Sequence, residues 1–377
     1  MFGPLERASA ATCSGVSPFL AVVLQQYLEE TQLSAMPKPA WFRELYGFEE
    51  GPSYSENQAK FSMDGDFLVC ETSAFPRQYV GQFETPTLAE LRSRVAEAGN
   101  ASPDVGLKFS NLAMSEGVVP LILDPGNAGA VFQAASQFNC LEMTGPAVTP
   151  ARGIAIYFND PTQGPKCALS CPAGTVFRNY LCQNGKGQGE EQIDCLADVA
   201  TVVDNAKHQF WRMSNGYALP GSTTAMAKLS KRFNSQEGLI DAAEAALRVG
   251  VHWETSVAPP AEHRVAQVYA SALPVAYSAG IKAEAFEPFA RLILRGAYEA
   301  TLAVGQLKAA QLGKGSRATV FLTALGGGAF GNRIEWIYDA LKGALDKYRN
   351  APLDVKLVHY GSAVPPEWVT LDQLNAA

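Results

Sequence analysis

The stretch from residue 318 to 360 limits the possible folds of this chain more than any other. It runs as an apolar, β-branched segment ATVFLTAL (318–325), a turn GGGAFGN (326–332), an amphipathic segment RIEWIYDALKGALDKYR (333–349) and a second apolar segment DVKLVHY (354–360). Continuous apolar runs of this length read as buried strands, and the 3.6-residue periodicity between them reads as a helix. Strands joined through a helix run parallel, and a parallel sheet needs cover on both faces. The expected class is therefore α/β, with ligands bound beyond the C-terminal ends of the strands.

The alternation extends upstream. VVPLILD (118–124) and GIAIYFN (153–159) read as buried strands, 190–205 and 237–248 as helices, RVAQVYA (264–270) as a strand, and 284–308 as a long helix. Nearer the start, residues 17–33 have helical periodicity ended by Pro37 and Pro39. Residues 49–82 are rich in Gly, Ser, Pro and aromatics, with a short strand expected at 66–71. A helix at 87–98 opens at Thr85-Pro86-Thr87 and stops at Gly99-Asn100. The pattern divides the chain into an accessory region, 1–104, packed on a main domain, 105–377.

Of the 377 residues, 47% are hydrophobic and 18% charged, a globular balance. The net charge of −7 argues against nucleic acid as partner. A small anion remains compatible, because backbone N–H groups at a helix start bind phosphate without net positive charge. The seven cysteines (13, 70, 140, 167, 171, 182 and 195) are odd in number and scattered, which fits a reducing compartment rather than a disulfide framework. Cys167 and Cys171 are followed by no histidine until His208, so no metal is expected. Residues 15–25 lack the basic start of a signal peptide, and no run is long enough to span a membrane. A cytoplasmic location follows as the expectation, although effector-type export signals need not resemble either pattern.

Two loops carry the chemistry. Gly326, Gly327, Gly328, Ala329, Phe330, Gly331 and Asn332 leave a strand and open a helix. Glycines let the backbone approach a ligand closely, and the helix dipole favours an anion, so a pyrophosphate is the natural occupant. No Lys-Ser/Thr pair follows, which excludes a Walker loop. Phe330 reads equally as a ring against the diphosphate or the sugar and as a core residue. The second loop begins at Asp124 and presents Asn127, Gln133, Gln137 and Asn139 at close spacing. Such amides suit sugar hydroxyls and a nucleobase edge. NGKGQ (184–188) reads as a flap or a plain surface loop.

The strand, glycine loop and helix together resemble the phosphate-binding loop of macrodomains, especially the glycohydrolase branch that degrades poly(ADP-ribose). Asn127, the turn from Gly129 and Gln137 match that branch's first loop. Phe138-Asn139-Cys140 stand where its two glutamates belong, so the resemblance does not carry the poly(ADP-ribose) reaction with it. The phrases NAGAVFQAASQFNCLEM, DPTQGPKCA, GTVFRNYL, NGKGQ, SALPVAYS, AYEATL and FLTALGGGAFGN are similar to the MavL-like macrodomain family, over roughly residues 105–361. That resemblance implies a macrodomain-like three-layer α/β/α sandwich with a mixed, mostly parallel sheet. It also implies ADP-ribose in a cleft, no cofactor or metal, and hydrolysis of mono-ADP-ribose from arginine on a modified protein partner.

Cleaving an N-glycosidic bond through an oxocarbenium-like state requires a carboxylate, and a guanidinium is itself best held by one. The acidic candidates are Asp124, Glu142, Asp160, Glu190, Glu191, Glu254 and Glu262. Glu254 and Glu262, in the Pro-rich loop WETSVAPPAEHR, lead as catalytic residues, with Glu142 next, or else as a helix cap or salt-bridge partner, and Asp124 as a turn residue or an adenine contact. His263 stands beside Glu262 as a possible proton shuttle, and Cys140 has no base in its sequence context. A non-catalytic reader of ADP-ribose has the same loops without the reactive carboxylate.

Overall fold

The structure, a computed structural model, describes residues 40–99, 105–278 and 280–371. The helical segment expected at 17–33 lies outside the described residues. Three short antiparallel strands come first: β1 (Ser62–Asp64), β2 (Phe67–Val69) and β3 (Arg77–Tyr79). Next in the chain come β4 (Phe83–Glu84), β5 (Lys108–Met114) and β6 (Val131–Ala135), then a hairpin of β7 (Trp211–Ser214) and β8 (Tyr217–Pro220). The last four strands are β9 (Gly250–Ser256), β10 (Arg264–Ala270), β11 (Ala318–Thr323) and β12 (Leu353–Tyr360). The main sheet has seven strands in the order β4-β9-β10-β6-β11-β12-β5.

Strands β10, β6, β11, β12 and β5 are parallel, while β9 pairs antiparallel with β10 and β4 with β9. At the centre Val131, Phe132 and Ala134 are wholly buried, and the Phe132 ring stacks on Phe321 with centroids 4.5 Å apart. Helix Glu287–Ala310 lies along the sheet, flanked by Ile334–Lys347 and Leu88–Ala98. Helices Gln163–Ser170 and Pro172–Val176 complete the sandwich against β6 and β9. The α/β class and the mixed, mostly parallel sheet agree with the sequence reading.

Two expected strands are not strands. Residues Val119–Leu123 form a short helix with Pro120 in its first turn. Proline supplies no ladder N–H and fixes a helix-compatible φ, which outweighs the apolar run. Residues Ala155–Asn159 form a 3-10 helix, and the N–H groups of Ile154 and Ala155 donate to Glu50 at 3.0 and 2.6 Å instead of to a strand. Strand β6 lies inside the polar stretch read as a turn, and β9 contains Glu254, which had been placed in a loop. The helix expected at 190–205 shortens to Ala197–Val202.

Residue 104 is no seam between an accessory region and a domain. The chain from Trp41 onward forms one compact unit. Strand β4 extends the main sheet, pairing Phe83 with His252 and Glu84 with Val251. The next helix starts at a Thr87–Glu90 capping box, and its Arg92 pairs with Glu299 at 2.7 Å and Glu244 at 3.2 Å. A second core joins Phe42, Tyr46 and Phe61 to Leu141, Met143 and Tyr180. Among the described residues, no helix is long and apolar enough to cross a membrane.

Candidate functional site

The glycine loop springs from the C-terminal end of β11. Gly326 and Gly331 have φ of +75° and +69°, a region that strains any residue with a Cβ. A Cβ on Gly331 would sit 2.9 Å from the Ala276 Cβ. The Asn332 amide donates to the Leu273 carbonyl at 2.8 Å, and Ala276 N–H donates to the Phe330 carbonyl at 2.9 Å. These bonds pin the loop to the segment after β10. Residues Gly327, Gly328 and Ala329 are exposed. Among the described residues, the N–H groups of Gly328, Ala329 and Phe330 meet no protein acceptor. They stand directly ahead of the 14-residue helix Ile334–Lys347, whose first turn carries no side-chain cap.

Phe330 packs in an aromatic triad, its ring 5.4 Å from Tyr217 and 5.6 Å from Tyr277. The Tyr217 hydroxyl donates to the Met143 carbonyl at 2.7 Å, and burial pushes its pKa upward. Phe330 belongs to the glycine loop, Met143 to the loop after β6, and Tyr277 to the turn after β10. The triad thus gathers the C-terminal ends of β11, β6 and β10 at one place. Thr144, Val148, Arg152, Ile156, Asn159, Asp160 and Pro161 line a groove that opens beside Met143. Asp160 is close enough for its charge to raise the Tyr217 hydroxyl further. Its Oδ1 accepts from Thr162 N–H at 2.9 Å and from the Thr162 hydroxyl at 2.6 Å.

The loop after β6 is built largely from its own polar side chains. Gln137 Oε1 accepts from Met143 N–H at 2.7 Å, and Asn139 Oδ1 from Leu141 N–H at 3.1 Å. Asn139 also donates to Gln192 at 2.9 Å. Both amides are buried and committed to the loop, which corrects their assignment as ligand contacts. Gln133 is corrected likewise: it lies in the core, donating to Thr301 at 3.0 Å and accepting from Thr323 N–H at 3.3 Å. Their spacing signalled a polar role without telling ligand from loop.

Asp124 and Asn127 sit before β6, at the opposite edge of the sheet. Asp124 caps Gly126 N–H at 2.8 Å, Asn127 donates to the Leu121 carbonyl at 2.9 Å, and Gly129 N–H donates to Arg264, the first residue of β10, at 2.8 Å. Neither reaches the glycine loop, which lies about 20 Å away along the strands at ~3.3 Å per residue.

The leading catalytic candidates are at that same far edge. Ser256 pairs with Arg264 where β10 begins, and Glu254, two residues earlier, forms ion pairs with Arg264 at 3.6 Å and Lys308 at 3.4 Å. Glu262 is exposed in the turn just before β10, and His263 contacts the Ile122 carbonyl at 2.8 Å. An antiparallel β9 carries WETS away from the cleft, which linear proximity to SALPVAYS concealed.

Glu142 lies on the cleft side but is walled in. Its carboxylate pairs with Arg178 at 3.0 Å, and neither side chain is exposed. Arg178 comes from a π-helical turn, Phe177–Leu181, and also donates to the Cys140 carbonyl at 2.8 Å and covers the Tyr269 ring at 3.7 Å. Burial pushes the Glu142 carboxyl up to about 7, with Arg178 opposing. His252 is buried against Tyr269, and burial holds it well below its usual range.

The NGKGQ turn is anchored rather than free. Gln188 is buried and donates to the Asn139 and Arg178 carbonyls at 3.1 and 2.9 Å, while Gln58 holds the Gly185 and Lys186 carbonyls at 3.1 and 3.0 Å. Glu190 and Glu191 are exposed beyond it. Asp160, one of the acidic candidates and not the favoured one, is the carboxylate that faces the groove.

No family model matches this chain, and no curated protein matches it. Solved structures with some likeness include poly(ADP-ribose) glycohydrolase from Deinococcus radiodurans in complex with ADP-ribose, at 12% identity and TM-score 0.43, covering 78% of this chain and 96% of that one. The glycohydrolase from Thermomonospora curvata gives 12% identity and TM-score 0.41 over 78% and 84% of the two chains. The same enzyme bound to the inhibitor ADP-HPD gives 12% and 0.37 over 76% and 82%.

Proposed function

We propose that the cleft at the C-terminal edge of the sheet binds ADP-ribose, and that the protein hydrolyses mono-ADP-ribose from arginine side chains. The observation that carries this reading is the run of three open N–H groups, Gly328 to Phe330, ahead of a long helix. Converging N–H donors and a helix dipole suit a diphosphate. The Phe330–Tyr217–Tyr277 triad beside them offers an apolar surface for the distal ribose.

Hydrolysis needs a water, a carboxylate and a route for one proton. Water oxygen bonds to the distal ribose C1″, the C1″–N bond to the guanidine breaks, and the proton lost by water restores the arginine guanidinium. Asp160 is our candidate for orienting that water and steadying the positive charge on the sugar. The same charge favours a guanidinium in the groove, against the apolar sides of Val148, Ile156 and Pro161. Glu142 serves as a positioning residue, holding the loop through Arg178. No cofactor enters the reaction.

The test is release of ADP-ribose from matched peptides modified on arginine or on glutamate or serine. Release from the arginine peptide alone supports the whole reading. Tight ADP-ribose binding with no release from any peptide makes the protein a reader and removes the role given to Asp160.

A further inference from the structure

Cys140 and Cys195 lie 55 residues apart in sequence, yet their sulfurs are 3.6 Å apart in the buried wall behind the cleft. Backbone contacts hold the two segments together around them: Cys195 N–H donates to the Phe138 carbonyl at 2.8 Å, and Arg248 N–H to the Cys195 carbonyl at 3.1 Å. Cys140 sits at φ +59°, the tight point of the loop after β6, and the space where Gly250 would carry a Cβ lies 2.6 Å from its sulfur. The proposed hydrolysis uses neither thiol. A disulfide needs the sulfurs at about 2.05 Å, so the pair has ~1.5 Å to close. The competing thiol, Cys182, donates to the Arg178 carbonyl at 3.0 Å.

We propose that Cys140 and Cys195 are a modification site, a dithiol that hydrogen peroxide converts to a disulfide tying the loop after β6 to the segment before helix Ala197–Val202. The Cys140 sulfur attacks a peroxide oxygen, the O–O bond breaks, and a sulfenic acid and water result. The Cys195 sulfur then displaces the hydroxyl of the sulfenic acid as a second water. The thiols together lose two protons and two electrons, and the peroxide gains them. Because both sulfurs are buried, oxidation proceeds when the loop opens. The bond then fixes Gln137, Cys140 and Glu142 in one arrangement.

The experiment treats the full chain with hydrogen peroxide and follows it by thiol titration, intact mass and peptide mapping. The expected result is loss of two thiols and two hydrogens per chain, a cross-link between the Cys140 and Cys195 peptides, a rise of several degrees in Tm, and reversal by dithiothreitol. Cys195→Ser and Cys195→Ala both abolish the cross-link, with far-UV circular dichroism reporting their folding. A Cys140–Cys182 cross-link, stable sulfinic acid on Cys140 without a cross-link, or unchanged thiol count after full exposure would each overturn the proposal. None of these readouts depends on ADP-ribose, so the site and the proposed hydrolysis can fail separately.

Discussion

Glu142 and Arg178 face each other at 3.0 Å in a pair from which solvent is wholly excluded. Burial raises the carboxyl to about 7, above the ~4.3 of an unfolded glutamate. A carboxyl shifted upward binds its proton more readily in the folded state. Its contribution is therefore present in full below pH ~4.3 and is lost as the pH rises toward 7. Urea titrations at pH 5 and pH 8 should show wild type losing stability relative to Glu142→Gln over that interval. Parallel pH profiles for the two proteins would mean that Arg178 fully offsets the burial.

Gly331→Val should abolish ADP-ribose binding in calorimetry while leaving the far-UV spectrum unchanged. The new side chain needs a φ it cannot adopt without strain and meets Ala276 at 2.9 Å, displacing the open N–H groups beside it. Gly313→Ala, at a position with nothing within 4 Å, is the control expected to bind normally.

Asp160→Asn should keep ADP-ribose affinity within a few-fold while lowering turnover of the arginine-linked peptide by roughly 100-fold, the scale of an acid–base group. Glu254→Gln and Glu262→Gln, at the far edge of β10, should stay within a few-fold of wild type in kcat/KM. The opposite ranking would mean that the far edge, and not the glycine-loop cleft, is where the bond is cut.

Gln133→Leu should cost about 1–3 kcal/mol of stability in urea unfolding, because Thr323 N–H loses its buried acceptor. ADP-ribose affinity should not change. A selective loss of affinity at wild-type stability would restore Gln133 to the ligand site.

Much of the fold was legible because local rules and tertiary demands agreed. Strand β11, its glycine loop and the helix Ile334–Lys347 are specified by periodicity and by glycines at positive φ. The Thr87–Glu90 capping box marks its helix in the same local way. Apolar runs misled where composition and backbone chemistry diverged: Pro120 and the Glu50 carboxylate each gave N-terminal backbone groups a better arrangement than a ladder.

The sequence by itself determined the glycine loop and the strand and helix that carry it, since these follow from short-range spacing. Only the tertiary structure decided which polar groups face the cleft. Gln137 and Asn139 turn inward because a buried loop must satisfy its own N–H groups. Glu254 lies at the far edge because β9 runs antiparallel to β10, while Asp160 lines the groove near Tyr217, 57 positions further along the chain. Strand direction and long-range pairing are set by burial summed over the whole sheet, and no local window of residues contains them.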